Sequence, residues 1–242
     1  FVKPMPDVFC YIWRRLPQTP ATSDPAMQLT QRFLFLLLAA FTLPATAQPR
    51  ESVEGIHYLA LATTVPTETA ADKIEVREVF WYGCQQCSTL EPMLTDWRDS
   101  VTGDLVFARM PAVWNDLMAL HARIYYAGRE LKAEDRIHQA AFRAIHEQQN
   151  PLRTEEQVKA FFTSNGVTAE AFDTAWNSEA VTTAVQQARL RTADYGVDKL
   201  PSIIMNGRYR IIHNAKVVNH VELNITINNV IRNLRDERRS DF

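Results

Sequence analysis

The chain has 242 residues, 46% hydrophobic and 22% charged, with a formal net charge of -2. That is enough for one globular domain, or one domain carrying an insertion. Nothing in the charge points to nucleic acid, since the one concentrated run, Arg235-Asp236-Glu237-Arg238-Arg239, has mixed sign and reads as a solvated helix end.

The N-terminal part reads as targeting rather than fold. Met27 opens a short, weakly basic stretch, residues 33–41 are unbroken apolar, and Pro44 is followed by Ala45-Thr46-Ala47, the small-x-small pattern of a secretory cleavage site. The run is far shorter than the ~20 residues a membrane span needs. Residues 27–47 are therefore expected to be a signal peptide, with Gln48 first in the exported protein; an uncleaved anchor on a cytoplasmic protein is the alternative. Residues 1–26 precede a complete signal and are expected to be an upstream or non-native extension. They carry Cys10, so the exported part keeps two cysteines, Cys84 and Cys87.

A lead-in over 48–54 comes before a first strand at 57–64. A second, more hydrophobic strand at 74–82 is expected to be buried on both faces. Gly83 closes it, Cys84-Gln85-Gln86-Cys87 follows, and residues 88–97 read as helix, with Pro92 inside it expected to kink it. A third strand at 105–110 ends at Pro111.

From 116 to about 195 the apolar period becomes helical. Leu117, Leu120, Ile124 and Ala127 mark one face, and Ile137, Ala141, Ala144 and Ile145 another. Val158, Phe161 and Phe162 mark a short helix capped by Thr154. Phe172 and Trp176 mark a fourth helix, and Val181, Ala184, Val185 and Ala188 a fifth. Asn165-Gly166 punctuates the block. Strands return with Ser202-Ile203-Ile204-Met205, an Asn206-Gly207 turn and Tyr209-Arg210-Ile211-Ile212, a hairpin. A closing helix puts Leu223, Ile227, Val230, Ile231 and Leu234 on one face. The fold class is α/β, a mixed central sheet with a helical insertion. The boundaries are 48–115 and 191–242 for the two parts of the sheet domain and 116–190 for the helical block.

A Cys-x-x-Cys where a buried strand meets a helix is a redox arrangement. The helix start carries unpaired N–H groups and partial positive charge, which favour a thiolate on the first cysteine. Two intervening residues let both sulfurs share one turn and close a disulfide. Half a zinc site is the competing reading, but zinc needs four ligands and the six histidines form no close pair, so no metal is expected. A purely structural disulfide would close too short a loop for a useful entropic gain.

Over residues 48–242 the chain resembles the DsbA family of exported thiol:disulfide oxidoreductases. The resemblance rests on Glu78-Val79-Phe80-Trp81-Tyr82-Gly83-Cys84-Gln85-Gln86-Cys87, on Glu91-Pro92, and on Val197-Asp198-Lys199-Leu200-Pro201-Ser202 before the hairpin. It implies a thioredoxin fold with an inserted helical domain, with Cys84 as nucleophile and Cys87 as buried resolving thiol. It also implies a cis Leu200–Pro201 bond at the peptide site, with Gln85 and Gln86 facing substrate. The implied role is oxidation of unfolded or reduced exported proteins in the periplasm. The redox-active disulfide is then the only cofactor, and a quinone-linked inner-membrane thiol oxidase the reoxidant. Two departures bear on potential and substrate preference: Gln85-Gln86 stands where Pro-His is usual, and Leu200 where Val or Thr is usual. Gln86 makes a reductase or isomerase the nearest rival; a non-catalytic, chaperone-like peptide-binding module is another.

Glu78 lies in the buried strand six residues before Cys84. Burial would raise its pKa and let it exchange a proton with Cys87. The alternative is an edge position paired to Arg77 or Arg109. The histidines read as scattered surface or packing residues.

Overall fold

The computed structural model describes residues 51–212 and 220–240. The expected extension, signal peptide and cleavage point lie outside them. Five strands form one mixed sheet in the order β1-β5-β4-β2-β3: β1 (Tyr58–Ala60), β2 (Ile74–Phe80), β3 (Leu105–Pro111), β4 (Ser202–Met205) and β5 (Tyr209–Ile211). Strands β2 and β3 run parallel, with Glu78 opposite Arg109. The other pairings are antiparallel. Strand β2 lies between β4 and β3 and is buried at every position. Three of its seven residues, Glu75, Arg77 and Glu78, are charged, so this strand must solve a charge problem inside the sheet.

Helix α1 (Gln85–Ser100) leads from β2 to β3. Five helices then separate β3 from β4: α2 (Asp116–Glu130), α3 (Glu134–His146), α4 (Glu155–Ser164), α5 (Ala169–Trp176) and α6 (Glu179–Asp194). Helix α7 (His220–Ser240) closes the chain. Helix α1 starts three residues earlier than its apolar pattern predicts, because Cys84 caps it, and it runs through Pro92 to Ser100. Strand β1 is shorter than expected, because only Tyr58, Leu59 and Ala60 find partners on β5. In α2 the expected Ile124 and Ala127 are buried, together with Met118, His121, Ala122 and Tyr125, whereas Leu117 and Leu120 are only half-buried. Thr154 caps α4, accepting from the Gln157 N–H at 3.2 Å.

The hairpin turns at Asn206 (φ 51) and Gly207 (φ 62), with Arg208 N–H donating to Met205 O at 2.9 Å. Both central residues take the left-handed conformation that Asn-Gly tolerates. A Cβ on Gly207 would sit 1.9 Å from Val65 O, so only glycine lets the 65 segment dock there.

Three apolar clusters build the molecule. One packs α1 and α7 on the sheet through Leu90, Leu94, Ile203, Ile227 and Ile231. A second packs α2 and α6 through Met118, Ala122, Val185 and Ala188 against Val79 and Ile204. The third is the interior of the helical block, and Phe80, Tyr82 and Cys87 belong to it. The end of β2 is thus plugged into the inserted helices. Phe80 makes ring contacts with Tyr82, Tyr125, His138 and Phe142 at centroid distances of 4.9–6.0 Å. A buried aromatic of this kind contributes about 1.5–3 kcal/mol by transfer alone.

Candidate active site

Strand β2 delivers the motif. After Phe80 the chain turns, and Cys84 N–H donates to Trp81 O at 3.0 Å. Gly83 allows the turn to close: a Cβ there would lie 2.4 Å from the Trp81 ring. Cys84 is extended (φ -87, ψ 112) and is the N-cap of α1, its Sγ accepting from Cys87 N–H at 3.1 Å. Ser, Thr and Asp usually fill this place with an oxygen. Here a sulfur does, and an anionic sulfur fills it best. No acidic residue stands in the first turn to oppose it.

The two thiols are driven apart. Cys84 is lowered to about 7, chiefly by the hydrogen bond from the Cys87 thiol and then by the backbone N–H groups of Cys87 and Gln86, which outweigh partial burial. Cys87, fully buried, is pushed far up by desolvation, then by the Cys84 sulfur and the Glu78 carboxyl. At neutral pH the first sulfur, half-exposed, is ionised in about half of the molecules and the second is a buried thiol, which suits them for nucleophile and resolving group.

Beneath them lies a buried charge cluster. Arg109 Nη2 donates to Glu91 Oε1 at 2.7 Å, whereas its Nε approaches Glu78 Oε2 only to 3.4 Å, without a hydrogen bond. Glu91 also accepts from Thr95 Oγ1 at 2.8 Å. Two carboxylates compete for one guanidinium, and Glu91 wins it. Glu78, with neither oxygen hydrogen-bonded, is raised to about 8 by burial and by the Glu91 charge, against the pull of Arg109. Glu91 is held below the ordinary range: burial would raise it, but the hydrogen bond from His138 and the charge of Arg109 prevail. One acid is ionised and its neighbour keeps its proton at pH 7, set by environment alone. Glu91 also borders a cleft of about 410 Å³ between α1 and α3.

Three histidines expected to be scattered surface or packing residues converge on this turn. His138 Nε2 faces Glu91 Oε2 at 3.1 Å and its Nδ1 faces the Tyr82 hydroxyl at 3.1 Å. Burial lowers its pKa. A neutral ring therefore donates to the carboxylate and accepts from Tyr82, an assignment made from the partners. His121 Nδ1 accepts from Trp81 Nε1 at 3.0 Å, and its Nε2 faces the carbonyls of Pro151 and Leu152, both at 3.2 Å. His146 Nε2 lies 2.7 Å from Tyr82 O and its Nδ1 3.1 Å from the Gln85 amide. The missed signal was spacing: His138, Phe142 and His146 fall at i, i+4 and i+8 on one face of α3, ring against ring.

The other expected site residues fall as follows. Glu78 is in a central strand, not at an edge, and its cation is Arg109; Arg77 is engaged by Glu75 and Glu68 at 2.7 and 3.0 Å. Gln85 and Gln86 are exposed on the first turn of α1. Leu200–Pro201 is cis, with Pro201 buried at the head of β4. Leu200 and Cys84 both pack on the helical-block cluster that contains Cys87.

A family model described as a DSBA-like thioredoxin domain matches residues 65–225. The chain is 31% identical over 175 residues to the thiol:disulfide interchange protein DsbA of Pseudomonas aeruginosa, covering 72% of this chain and 82% of the relative. It is 32% identical over 174 residues to the protein of that name from Azotobacter vinelandii, covering 72% and 81%. Among solved structures, that of Pseudomonas aeruginosa DsbA superposes with a TM-score of 0.72 at 28% identity, covering 78% of this chain and 97% of that one.

Proposed function

The chain belongs to the DsbA-like thioredoxin family and is a thiol:disulfide oxidoreductase; from that premise we propose that it works as a periplasmic oxidase of newly exported proteins. The observation that carries the reading is the cap itself, Cys84 Sγ under the Cys87 N–H at 3.1 Å, with Cys84 lowered to about 7. A thiolate stabilised in the reduced form makes the disulfide a stronger oxidant.

In the oxidised enzyme a substrate thiolate attacks Cys84 Sγ. The Cys84–Cys87 bond breaks, and its electron pair leaves on Cys87. That sulfur is buried and favours its thiol, so it needs a proton. Glu78, protonated at neutral pH, is the donor, and Glu91 with Arg109 sets its readiness. A second substrate thiolate then attacks the substrate sulfur of the mixed disulfide. Cys84 leaves as a thiolate, and the substrate departs with its disulfide. The substrate has lost two electrons and the enzyme has gained them; a quinone-linked inner-membrane thiol oxidase removes them. Gln85, Gln86 and the Leu200–Pro201 segment form the peptide-facing rim, where an extended substrate pairs with the backbone of Leu200. The domain limits proposed are 48–115 and 191–242 for the thioredoxin-like part and 116–190 for the helical insertion, after a signal peptide at 27–47.

Equilibration with glutathione tests the direction of the reaction. An oxidase gives a potential well above that of a cytosolic reductase, which lies near about -270 mV. A value at or below that level would replace the oxidase reading by the reductase one, which Gln86 otherwise supports. Retained activity after loss of both cysteines would point instead to a peptide-binding module.

A further inference from the structure

We propose that His146, carried by the inserted helical block, is a positioning residue for the nucleophile: its ring spans the two groups that flank Cys84, the Tyr82 carbonyl and the Gln85 side chain. The inference rests on the reading of Cys84 as nucleophile and adds a residue that this reading does not use.

The chemistry of the contacts fixes the ring. A backbone carbonyl can only accept, so at 2.7 Å from Tyr82 O the Nε2 atom carries a proton. The opposite nitrogen, Nδ1, lies 3.1 Å from Gln85 Oε1. A neutral ring with its proton on Nε2 can only accept at Nδ1, so the Gln85 side chain is assigned with its amide N–H2 end turned to the ring, an assignment made from the partners. The ring itself is half-buried and stacked on Phe142, centroids 6.1 Å apart and planes 28° apart, so its orientation comes from α3 rather than from solvent.

Both partners matter to Cys84 Sγ. Tyr82 lies two residues before it, in the turn closed by Cys84 N–H to Trp81 O. The bond from His146 to the Tyr82 carbonyl ties that turn, and so the backbone leading into Cys84, to α3. Gln85 is the first residue of α1, and the N–H groups of Gln86 and Cys87 that stabilise the sulfur follow it directly. Gln85 is otherwise exposed, with a free rotamer to lose. Pinning it to α3 holds the first turn so that those donors stay aimed at Sγ. The insertion thereby acts on the redox pair through one side chain.

The test is thiolate titration of Cys84 by ultraviolet absorbance, with the glutathione equilibrium constant, on wild type, His146→Phe, His146→Gln and Gln85→Ala. Phenylalanine keeps the stack on Phe142 and removes both polar contacts. It is expected to lower the thiolate-to-thiol ratio of Cys84 about fivefold, the size of one net hydrogen bond, and to make the glutathione constant less oxidising by the same factor. Glutamine, which can still donate to Tyr82 O, recovers part of the loss. Gln85→Ala, at an exposed position where folding is not at risk, moves both readouts in the same direction, and adds less in the His146→Phe background than alone. If His146 only docks the helical block, the melting temperature falls equally in oxidised and reduced protein while titration and glutathione constant stay at wild-type values; that overturns the proposal. Wild-type protein in which iodoacetamide labels Cys87 before Cys84 overturns both this inference and the role assignment beneath it. Normal Cys84 labelling with unchanged titration in His146→Phe and Gln85→Ala overturns the clamp alone.

Discussion

Glu78→Gln isolates the buried acid, since it keeps the shape and removes the ionisation. Glu78 is 0% exposed and its carboxyl is raised from 4.5 to about 8, first by desolvation and then by Glu91. A group whose folded pKa lies above its unfolded one contributes stability that is complete below the unfolded value. That stability is lost as pH rises towards the folded value. For Glu78 the window is about 4.5 to 8, and between pH 5 and pH 8 the wild type should lose roughly 3–4 kcal/mol that the variant does not. With no exposed surface there is no solvent screening to discount. The assay is urea unfolding of the reduced proteins at both pH values. The amide has its own burial cost, but that cost is independent of pH and cancels in the comparison. At typical slopes the gap between the two midpoints should widen by more than about 1 M urea. The variant should also turn over more slowly, because Cys87 loses its proton donor. Midpoints that fall in parallel would refute the raised pKa. Parallel midpoints with unchanged turnover would leave Glu78 a packing residue.

Cys84→Ser should abolish oxidation of a reduced peptide, and Cys87→Ser should accumulate mixed disulfides on Cys84, read by mass spectrometry; adducts mapping to position 87 would reverse the roles. Wild-type alkylation of Cys84 should rise with a midpoint at about pH 7, and a midpoint at the ordinary thiol value would remove the cap argument. Gln86→His should depress that midpoint and raise the potential, because a protonated imidazole makes a stronger bond to a thiolate than a neutral amide; a gain of about 30 mV corresponds to about 1.4 kcal/mol, and no gain would mean the backbone donors already saturate the sulfur. Arg109→Met strands Glu91 beside Glu78 in the interior and should cost about 3–5 kcal/mol in urea unfolding at pH 7; a loss below about 1 kcal/mol would mean that the cluster is already solvated.

The motif was legible in the sequence because its information is local. A buried run ending in glycine, two cysteines two residues apart and a helical period place a thiol at a helix start whatever surrounds them. Gly207 was legible for the same reason: Asn-Gly specifies its own backbone geometry, and the 1.9 Å clearance to Val65 O only adds to a choice already made. The closing helix also followed from periodicity, its five marked apolar residues all buried. What surrounds the sulfurs was not legible. Glu78 could be seen as a buried acid, but its charge state depends on Arg109 preferring Glu91, a competition among three residues up to 31 positions apart. His138 and His146 lie 54 and 62 residues from Cys84, and only the packing of α3 against the end of β2 brings them to Tyr82 and Gln85. Side-chain pattern records which face of an element is buried; it does not record what that face meets. Tertiary packing alone decides which polar groups share one desolvated space, and in that space burial first, and then the charge of Glu91, leave Glu78 holding its proton.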